Sequence, residues 1–436
     1  MKKVILSTIL ICFLFSIIKL EAQVPVPAPK QEKAIILIGS IAHLGNGEVI
    51  NNSIIAFNNG KITHVGDASN HSLNLSSYKV INVEGKHIYP GLILPNVGLG
   101  LVEVGSVKAT VDAAEIGSFN PNVRSIIAYN TDSEVIPTLR SNGILLAQVT
   151  PSGGTISGSS SIVQLDAWNW EDAVYKIDDG IHLNWPSLMS SASFFNPSAG
   201  SSRNTGYDKS VAEIDKLFSD AKAYMNITDP AETNLKLEAM KGLLNASKTL
   251  FIKAGGVKEI LESVKFANKH EVKKIVLVGV DEDILKITEF IKENKIPVII
   301  SMLMRPPKRA DGDLKIQYKI PDILTKEGIL VGLDFPNPTG AFNLPFFAGS
   351  AVTYGMDKEE ALKTITSNMA KILGIEDRTG SIEEGKDANI IVSTGDLLDI
   401  KTSNVELAFI TGRQIDLDNK HKRLYRKFKN KYDSQR

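Results

Sequence analysis

The stretch IYPGLILPNVG (residues 88–98) separates two kinds of sequence pattern. On its N-terminal side, residues 34–89 consist of short apolar runs divided by turn residues, and Asn59-Gly60 between two such runs is typical of a type I′ β-hairpin. On its C-terminal side, apolar runs alternate with helical stretches. The fold is therefore expected to change from antiparallel β-structure to a β/α arrangement within this stretch.

The second region has the pattern of a parallel β/α unit. Its candidate buried strands are GILLAQVT, TLFIKA, KIVLVG, IPVIISM and GILVGLDF. Amphipathic helical stretches over residues 231–248, 256–270 and 282–294 alternate with them. Alternation of this kind favours a sheet of parallel strands with helices on its outer face.

The β pattern returns near the C-terminus in KDANIIVST and VELAFITGRQI. Because β segments flank the β/α region on both sides, the class is α/β with a discontinuous β-sandwich assembled from both ends of the chain. We place this composite domain at residues 23–90 and 376–416, the inserted barrel at 91–375 and a basic tail at 417–436.

The N-terminus has the features of a secretory signal peptide over residues 1–22. Lys2 and Lys3 precede an apolar run over residues 4–18, which is shorter than the roughly 20 residues that span a bilayer. Cys12, the only cysteine of the chain, lies within this run. We therefore expect cleavage, export to a bacterial periplasm, no stable membrane span and no disulfide in the mature protein.

Charge is balanced over the whole chain but not at its end. Lys+Arg and Asp+Glu both number 49, so no overall field favours nucleic acid as a partner. The C-terminal residues KHKRLYRKFKNKYDSQR are basic. A contact with an anionic surface is one interpretation, and a solvated terminal helix is the other, which base rates favour.

Several stretches resemble the amidohydrolase superfamily. They are GKITHVG (residues 60–66), VINVEGKHIYPG (80–91) and EALKTITSNMAKILGIEDRTGSIEEGKDANIIV (360–392). The closest similarity is to the imidazolonepropionase-like branch. The resemblance implies a distorted TIM (β/α)8 barrel with a β-sandwich, and hydrolysis of a non-peptide C–N bond, as in cyclic amides, by metal-activated water.

The metal-ligand motif of that family is degenerate in this chain. The family's first barrel strand ends in Asp-x-His-x-His after Pro-Gly, whereas residues 94–98 read Leu-Pro-Asn-Val-Gly and include Asn96. Lys253 replaces the fifth-strand histidine, and the sixth-strand histidine falls near Gly279. The resemblance leaves Asp334 as the retained eighth-strand acid.

A count of histidines bears on the cofactor. The chain has seven, of which only His182 and His270 fall within residues 91–375. His270 ends a helix before a strand and is expected at the N-terminal face, whereas His182 is placed in a loop that approaches the site. We therefore expect no metal cofactor, with zinc as the metal if this ligand count is wrong.

Lys253 and Asp334 are predicted to form an ion pair where the family binds its metal. Two roles are open for this pair. One is a metal-free acid/base pair, with His182 as a further catalytic residue. The other, which we favour, is a structural plug, because a paired lysine and aspartate are held in unreactive charged forms.

The tryptophans cluster in one short part of the barrel region. Trp168, Trp170 and Trp185 lie close to Asn169 in sequence, and aromatic density of this kind is typical of a ligand-pocket wall. Together with Asn96 they are the candidate binding residues. A hydrophobic plug that ties long loops to the barrel is an equally good interpretation.

Three functions follow from these patterns. The first is an exported amidohydrolase that acts on non-peptide C–N bonds. The second is a non-catalytic relative that binds a small molecule, a short polymer or a protein partner, such as an active amidohydrolase or a second copy of itself. The third is a metal-free enzyme. The missing ligands favour the second.

Overall fold

The computed structural model describes residues 26–190, 202–301, 306–308 and 311–434, so the expected signal peptide lies outside the described residues. The strands within these ranges, numbered in chain order, are β1 (Ile35–His43), β2 (Val49–Asn58), β3 (Lys61–Asp67), β4 (Lys79–Asn82), β5 (His87–Pro90), β6 (Leu92–Val97), β7 (Ile144–Val149), β8 (Ile156–Gln164), β9 (Val174–Asn184), β10 (Met189–Ser190), β11 (Ser202–Arg203), β12 (Thr249–Lys253), β13 (Ile275–Val280), β14 (Val298–Ser301), β15 (Val331–Asp334), β16 (Ile390–Ser393), β17 (Val405–Ile410) and β18 (Arg413–Gln414).

The helices of the described residues are mostly short. They are α1 (Val135–Arg140), α2 (Trp170–Ala173), α3 (Tyr207–Met225), α4 (Leu235–Leu244), α5 (Val257–Lys269), α6 (Thr288–Glu293), α7 (Ile316–Lys326), α8 (Leu344–Thr353), α9 (Lys358–Lys363), α10 (Ser367–Leu373) and α11 (Lys420–Asp433). Side-chain caps explain where several begin: Asn234 caps α4, Asp357 caps α9 and Asn419 caps α11.

One sheet is assembled from both ends of the chain. Its order is β18-β17-β16-β5-β1-β2-β3, with β4 also paired to β1. Strand β16 joins the two ends by antiparallel pairing with β5, in the register Ile390↔Pro90. The hairpin prediction is confirmed, because Asn59 and Gly60 both have positive φ, 49° and 79°, between β2 and β3.

The second sheet is a nearly closed barrel in the order β15-β14-β13-β12-β9-β8-β7-β6. The first and last strands are joined through the segment that follows α9. Ile93 N–H donates to the carbonyl of Ile365 (3.0 Å), and Leu333 N–H donates to that of Thr364 (3.1 Å). The structure therefore confirms a distorted TIM barrel with an additional β domain.

The distortion comes from strand β8, which is antiparallel to both of its neighbours, whereas the sequence pattern predicted parallel strands. The reason is the length of the connections. Residues 150–155 join β7 to β8, and residues 165–173 join β8 to β9. A parallel crossover needs a dozen residues or more, so these short links produce hairpins.

Buried charges attach the β domain and the N-terminal lead-in to the barrel. The Asp166 carboxylate accepts hydrogen bonds from Arg140, from Arg413 (2.9 Å) and from the backbone N–H of Ala28 (2.9 Å). The side chains of Asp166 and Arg140 are only 1% and 5% exposed. Such a network fixes the relative position of three distant chain segments.

The C-terminal helix α11 contributes no buried residue. Among the described residues, none of the helices combines the length and the apolarity that crossing a bilayer requires.

Candidate functional site

An open cavity of about 530 Å³ lies at the C-terminal ends of the barrel strands. This is the face at which the loops of a TIM barrel build their sites. Its walls are largely apolar, with Leu183, Phe251 and Val278 among the lining residues. Polar groups on the lining are Asn96, Glu103, Thr150, Ser152, Ser157, His182, Asn184, Lys253, Asn337 and Thr339. The mixture is typical of a small-molecule site.

Asp334 lies beneath the cavity at the end of β15 and is 0% exposed. Its Oδ2 accepts a hydrogen bond from Asn96 Nδ2 at 2.9 Å. Burial raises the pKa of Asp334 to about 6, although the nearby Ser301 hydroxyl, the Asn96 amide and the charge of Lys253 all act to lower it. The carboxyl group therefore changes its charge close to neutral pH.

Lys253 ends β12 and lines the cavity with an exposed side chain. The side chain lies beside Gly279, since a Cβ at that glycine would be 3.8 Å from Lys253 Cε and 3.8 Å from Ser301 Oγ. The structure thus brings together the strand ends at which the resemblance placed metal ligands.

The predicted ion pair between Lys253 and Asp334 does not form. Within the described residues no carboxylate lies at salt-bridge distance from the Lys253 ammonium, and Asp334 is bound by Asn96 instead. Depth explains the difference, because Asp334 is fully buried whereas the side chain of Lys253 is exposed. Moving the ammonium down to the carboxylate would require its desolvation.

Asn96 occupies the bottom of the cavity in a left-handed conformation (φ 51°), which asparagine tolerates better than most residues. Its backbone N–H donates to Gln148 Oε1 (3.1 Å) while its side-chain amide reaches Asp334. The role of Asn96 as a binding residue stays a prediction, and Asn96 lies on the cavity lining.

His182 lies within strand β9, not in a loop as the sequence suggested. Its ring stacks on Phe251, with 4.8 Å between centroids, and its Nε2 is 2.9 Å from Ser160 Oγ. Burial lowers the pKa of His182 to about 3. The ring is therefore neutral near pH 7, at a position on the cavity wall.

Behind the cavity, a chain of buried polar side chains links His182 to Asn96. Ser160 Oγ donates to Asp179 Oδ1 (2.8 Å), and Gln148 Nε2 donates to Asp179 Oδ2 (2.8 Å). Burial also raises the pKa of Asp179. Sequence reasoning did not connect these residues, and the available signal was Gln148 within the apolar run GILLAQVT and the serine-rich stretch SGSSSIVQ.

The Trp-rich segment does not line this cavity, so the first of its two interpretations, a ligand-pocket wall, does not apply here. Trp168, Asn169 and Trp170 connect β8 to β9 at the opposite end of the barrel, where Asn169 caps α2 and Trp168 is 66% exposed. Trp185 follows β9 at the correct end but is buried, with its Nε1 donating to Tyr207 (3.0 Å). The antiparallel direction of β8 is the reason for this separation.

Comparison with known proteins identifies several similar chains. The amidohydrolase family model matches residues 337–415. An imidazolonepropionase from Thermoplasma volcanium is 27% identical over 177 residues, which cover 39% of this chain and 37% of that relative. An amidohydrolase structure from Thermotoga maritima has a TM-score of 0.75 at 23% identity, covering 88% of this chain and 99% of the other.

A zinc-containing structure corrects the expectation about cofactors. An adenosine deaminase from Xanthomonas campestris with bound zinc has a TM-score of 0.53 at 13% identity, with 93% of this chain and 100% of that chain covered. Proteins with this fold therefore include metalloproteins. This finding contradicts the expectation that the chain has no metal cofactor.

The residues at the barrel mouth do not fit the usual ligand set of such a metal. Across residues 26–190, 202–301, 306–308 and 311–434, no group of three or more His, Cys, Asp or Glu side chains could hold an ion. The resemblance places metal-binding histidines at or near the positions of Asn96, Lys253 and Gly279, and an ammonium at such a position would repel a cation. This chain thus differs from the zinc-containing neighbour, because its described residues include no such group of metal ligands.

Proposed function

We propose that this chain, which belongs to the amidohydrolase superfamily in its imidazolonepropionase-like branch, binds a small carboxylate at the mouth of its barrel and does not hydrolyse it. The observation that carries the proposal is the Lys253 ammonium, which lines the cavity without a carboxylate partner among the described residues.

Lys253 is the one lysine or arginine among the described residues that line the cavity. The other charged side chain on the lining is Glu103, whose carboxylate accepts hydrogen bonds from Asn130 (3.3 Å) and Ser133 (3.1 Å). Asp334 lies beneath the lining and is largely ionised only above its pKa of about 6. A carboxylate on the ligand would therefore supply the partner that Lys253 lacks.

The remainder of the cavity suits an apolar ligand body. Phe251, Leu183 and Val278 offer contact surface, and a volume of about 530 Å³ falls within the range of roughly 300–1,000 Å³ seen for ligand pockets. The name of the imidazolonepropionase relative specifies a propionate, which joins a small ring to a carboxylate. We take this kind of molecule as the probe.

Calorimetric titration of the mature protein with imidazolepropionate and with its neutral amide tests the proposal. We expect the carboxylate to bind at least about tenfold more tightly than the amide, and Lys253→Met to abolish this preference. The matched control is Lys274→Met, which removes an exposed lysine from the opposite end of the barrel. Equal binding of acid and amide, or an unchanged preference in Lys253→Met, would refute the assignment.

Hydrolysis of a non-peptide C–N bond in a cyclic amide is the second candidate. The retained Asp334 at the end of β15 and the family relationship favour it. Ring opening of a cyclic-amide panel, followed by absorbance with and without added zinc, decides between the two. Turnover that disappears in Asp334→Asn would establish the second candidate over the first.

The cellular location and the protein partners of this chain are also proposals. We infer export to the periplasm from the features of residues 1–22, and pairing with a second copy or with an active amidohydrolase from the degenerate ligand motif. Intact mass of the protein recovered from cells would test cleavage after Ala22. Size-exclusion chromatography coupled to light scattering would test self-association.

A further inference from the structure

The C-terminal helix α11 exposes an apolar stripe on an otherwise basic surface. Leu424, Phe428 and Tyr432 follow one another at intervals of four residues, and Tyr425 lies beside them. At 3.6 residues per turn these four side chains fall within an arc of about 100°, which also contains the exposed His421 in the first turn of the helix. Their exposed fractions are 42%, 48%, 58% and 66% for Leu424, Phe428, Tyr432 and Tyr425.

The same helix carries a strong positive charge. Over Lys420–Asp433 there are seven lysine and arginine residues and one aspartate. The lysines flank the apolar arc on both edges: Lys420, Lys427 and Lys431 on one side, Lys422 and Lys429 on the other. Lys429 and Lys431 lie over the rings of Tyr425 and Tyr432, at 6.0 Å and 5.5 Å from the ring centres.

The attachment of α11 to the body leaves this arc facing outward. Arg423 binds Glu134 (3.4 Å) and Arg426 binds Asp418 (2.6 Å), and both arginines lie on the side of the helix opposite the apolar arc. Asn419, which is buried, caps the helix and also donates to Ser141 (2.8 Å). The contacts that attach the helix therefore lie in its N-terminal half and on the face opposite the apolar arc.

We propose that α11 is a lipid-docking helix that binds the surface of a membrane containing anionic lipid. Its apolar arc would enter the boundary between head groups and acyl chains, and Lys420, Lys427, Lys429 and Lys431 would reach the phosphates, whereas Lys422 donates to the carbonyl of Leu417 (3.0 Å). Charge complementarity identifies an anionic surface as the occupant. The apolar arc favours lipid over nucleic acid, because a helix that contacts phosphates alone would present its lysines at the centre of the contact face.

Flotation of the mature full chain with vesicles tests this inference. We expect binding to vesicles of equal parts phosphatidylcholine and phosphatidylglycerol, and none to phosphatidylcholine alone. The double variant Leu424→Ser/Phe428→Ser should weaken binding at least about tenfold. The triple variant Lys427→Gln/Lys429→Gln/Lys431→Gln should weaken it by about fivefold per lysine, or about a hundredfold in total.

The matched control removes the same charge elsewhere, with Lys273→Gln/Lys274→Gln/Lys295→Gln at the opposite end of the barrel from the cavity. Circular dichroism and melting temperature would establish that each variant is folded. Equal loss of binding in the control, binding to phosphatidylcholine alone, or full binding by Leu424→Ser/Phe428→Ser would each overturn the proposal. The last result would indicate a plain polyanion contact.

Discussion

The ionisation of Asp334 should make the protein less stable as pH rises. Burial raises the pKa of this carboxyl from the ordinary value of 3.8 to about 6. A group whose pKa is higher in the folded state contributes stability that is present below its unfolded pKa and is lost as pH rises through its folded pKa. The difference between the two pKa values corresponds to about 3 kcal/mol of folding stability at 1.36 kcal/mol per pKa unit. About 2.5 kcal/mol of this stability is lost between pH 4 and pH 8.

Asp334→Asn removes the titrating group while leaving a side chain of the same shape. We expect the free energy of unfolding of this variant, relative to the parent, to increase by about 2.5 kcal/mol between pH 4 and pH 8. Other titrating groups are common to both proteins and cancel in the comparison. Urea unfolding followed by tryptophan fluorescence at several pH values measures it, with the exposed Asp229→Asn as control. A difference that stays constant with pH would refute the reasoning.

Two further predictions concern buried groups. Arg413→Met should lower the free energy of unfolding by about 3 kcal/mol, because Asp166 is buried and would keep only Arg140 as a cationic partner. The exposed ion pair between Arg423 and Glu134 should contribute less than about 1 kcal/mol. An equal loss of unfolding free energy in Arg423→Met would contradict this assignment. The His182 ring should remain neutral down to about pH 4 because burial lowers its pKa to about 3. The nitrogen chemical shifts of the His182 ring, followed against pH, measure its protonation. Protonation near pH 6.5 would contradict the prediction.

The layout of the fold was predictable because it depends on periodicity and on local turn signals. Asn59-Gly60 determines a hairpin through its own backbone preferences, and the apolar runs on both sides of the β/α region are long enough to identify strands. The direction of β8 was not predictable from its composition. It depends on the length of two connections, and that direction also decides that Trp168 and Trp185 lie at opposite ends of the barrel.

The candidate site was predictable in part. The resemblance led to Asn96, Lys253 and Asp334, which the structure brings to the same end of the barrel. Their contacts were not predictable, because residues at the ends of different barrel strands can differ completely in depth. Asn96 has a positive φ and its amide donates to Asp334, whereas the side chain of Lys253 stays exposed. These are properties of tertiary packing that a single sequence does not encode locally.

A crystal structure of the mature protein with imidazolepropionate tests the central claim most directly. The account predicts a carboxylate oxygen of the ligand within hydrogen-bond distance of Lys253 Nζ, with Asn96 still donating to Asp334. It would be contradicted by a metal ion coordinated at Asp334 that holds the ligand while Lys253 points away from it.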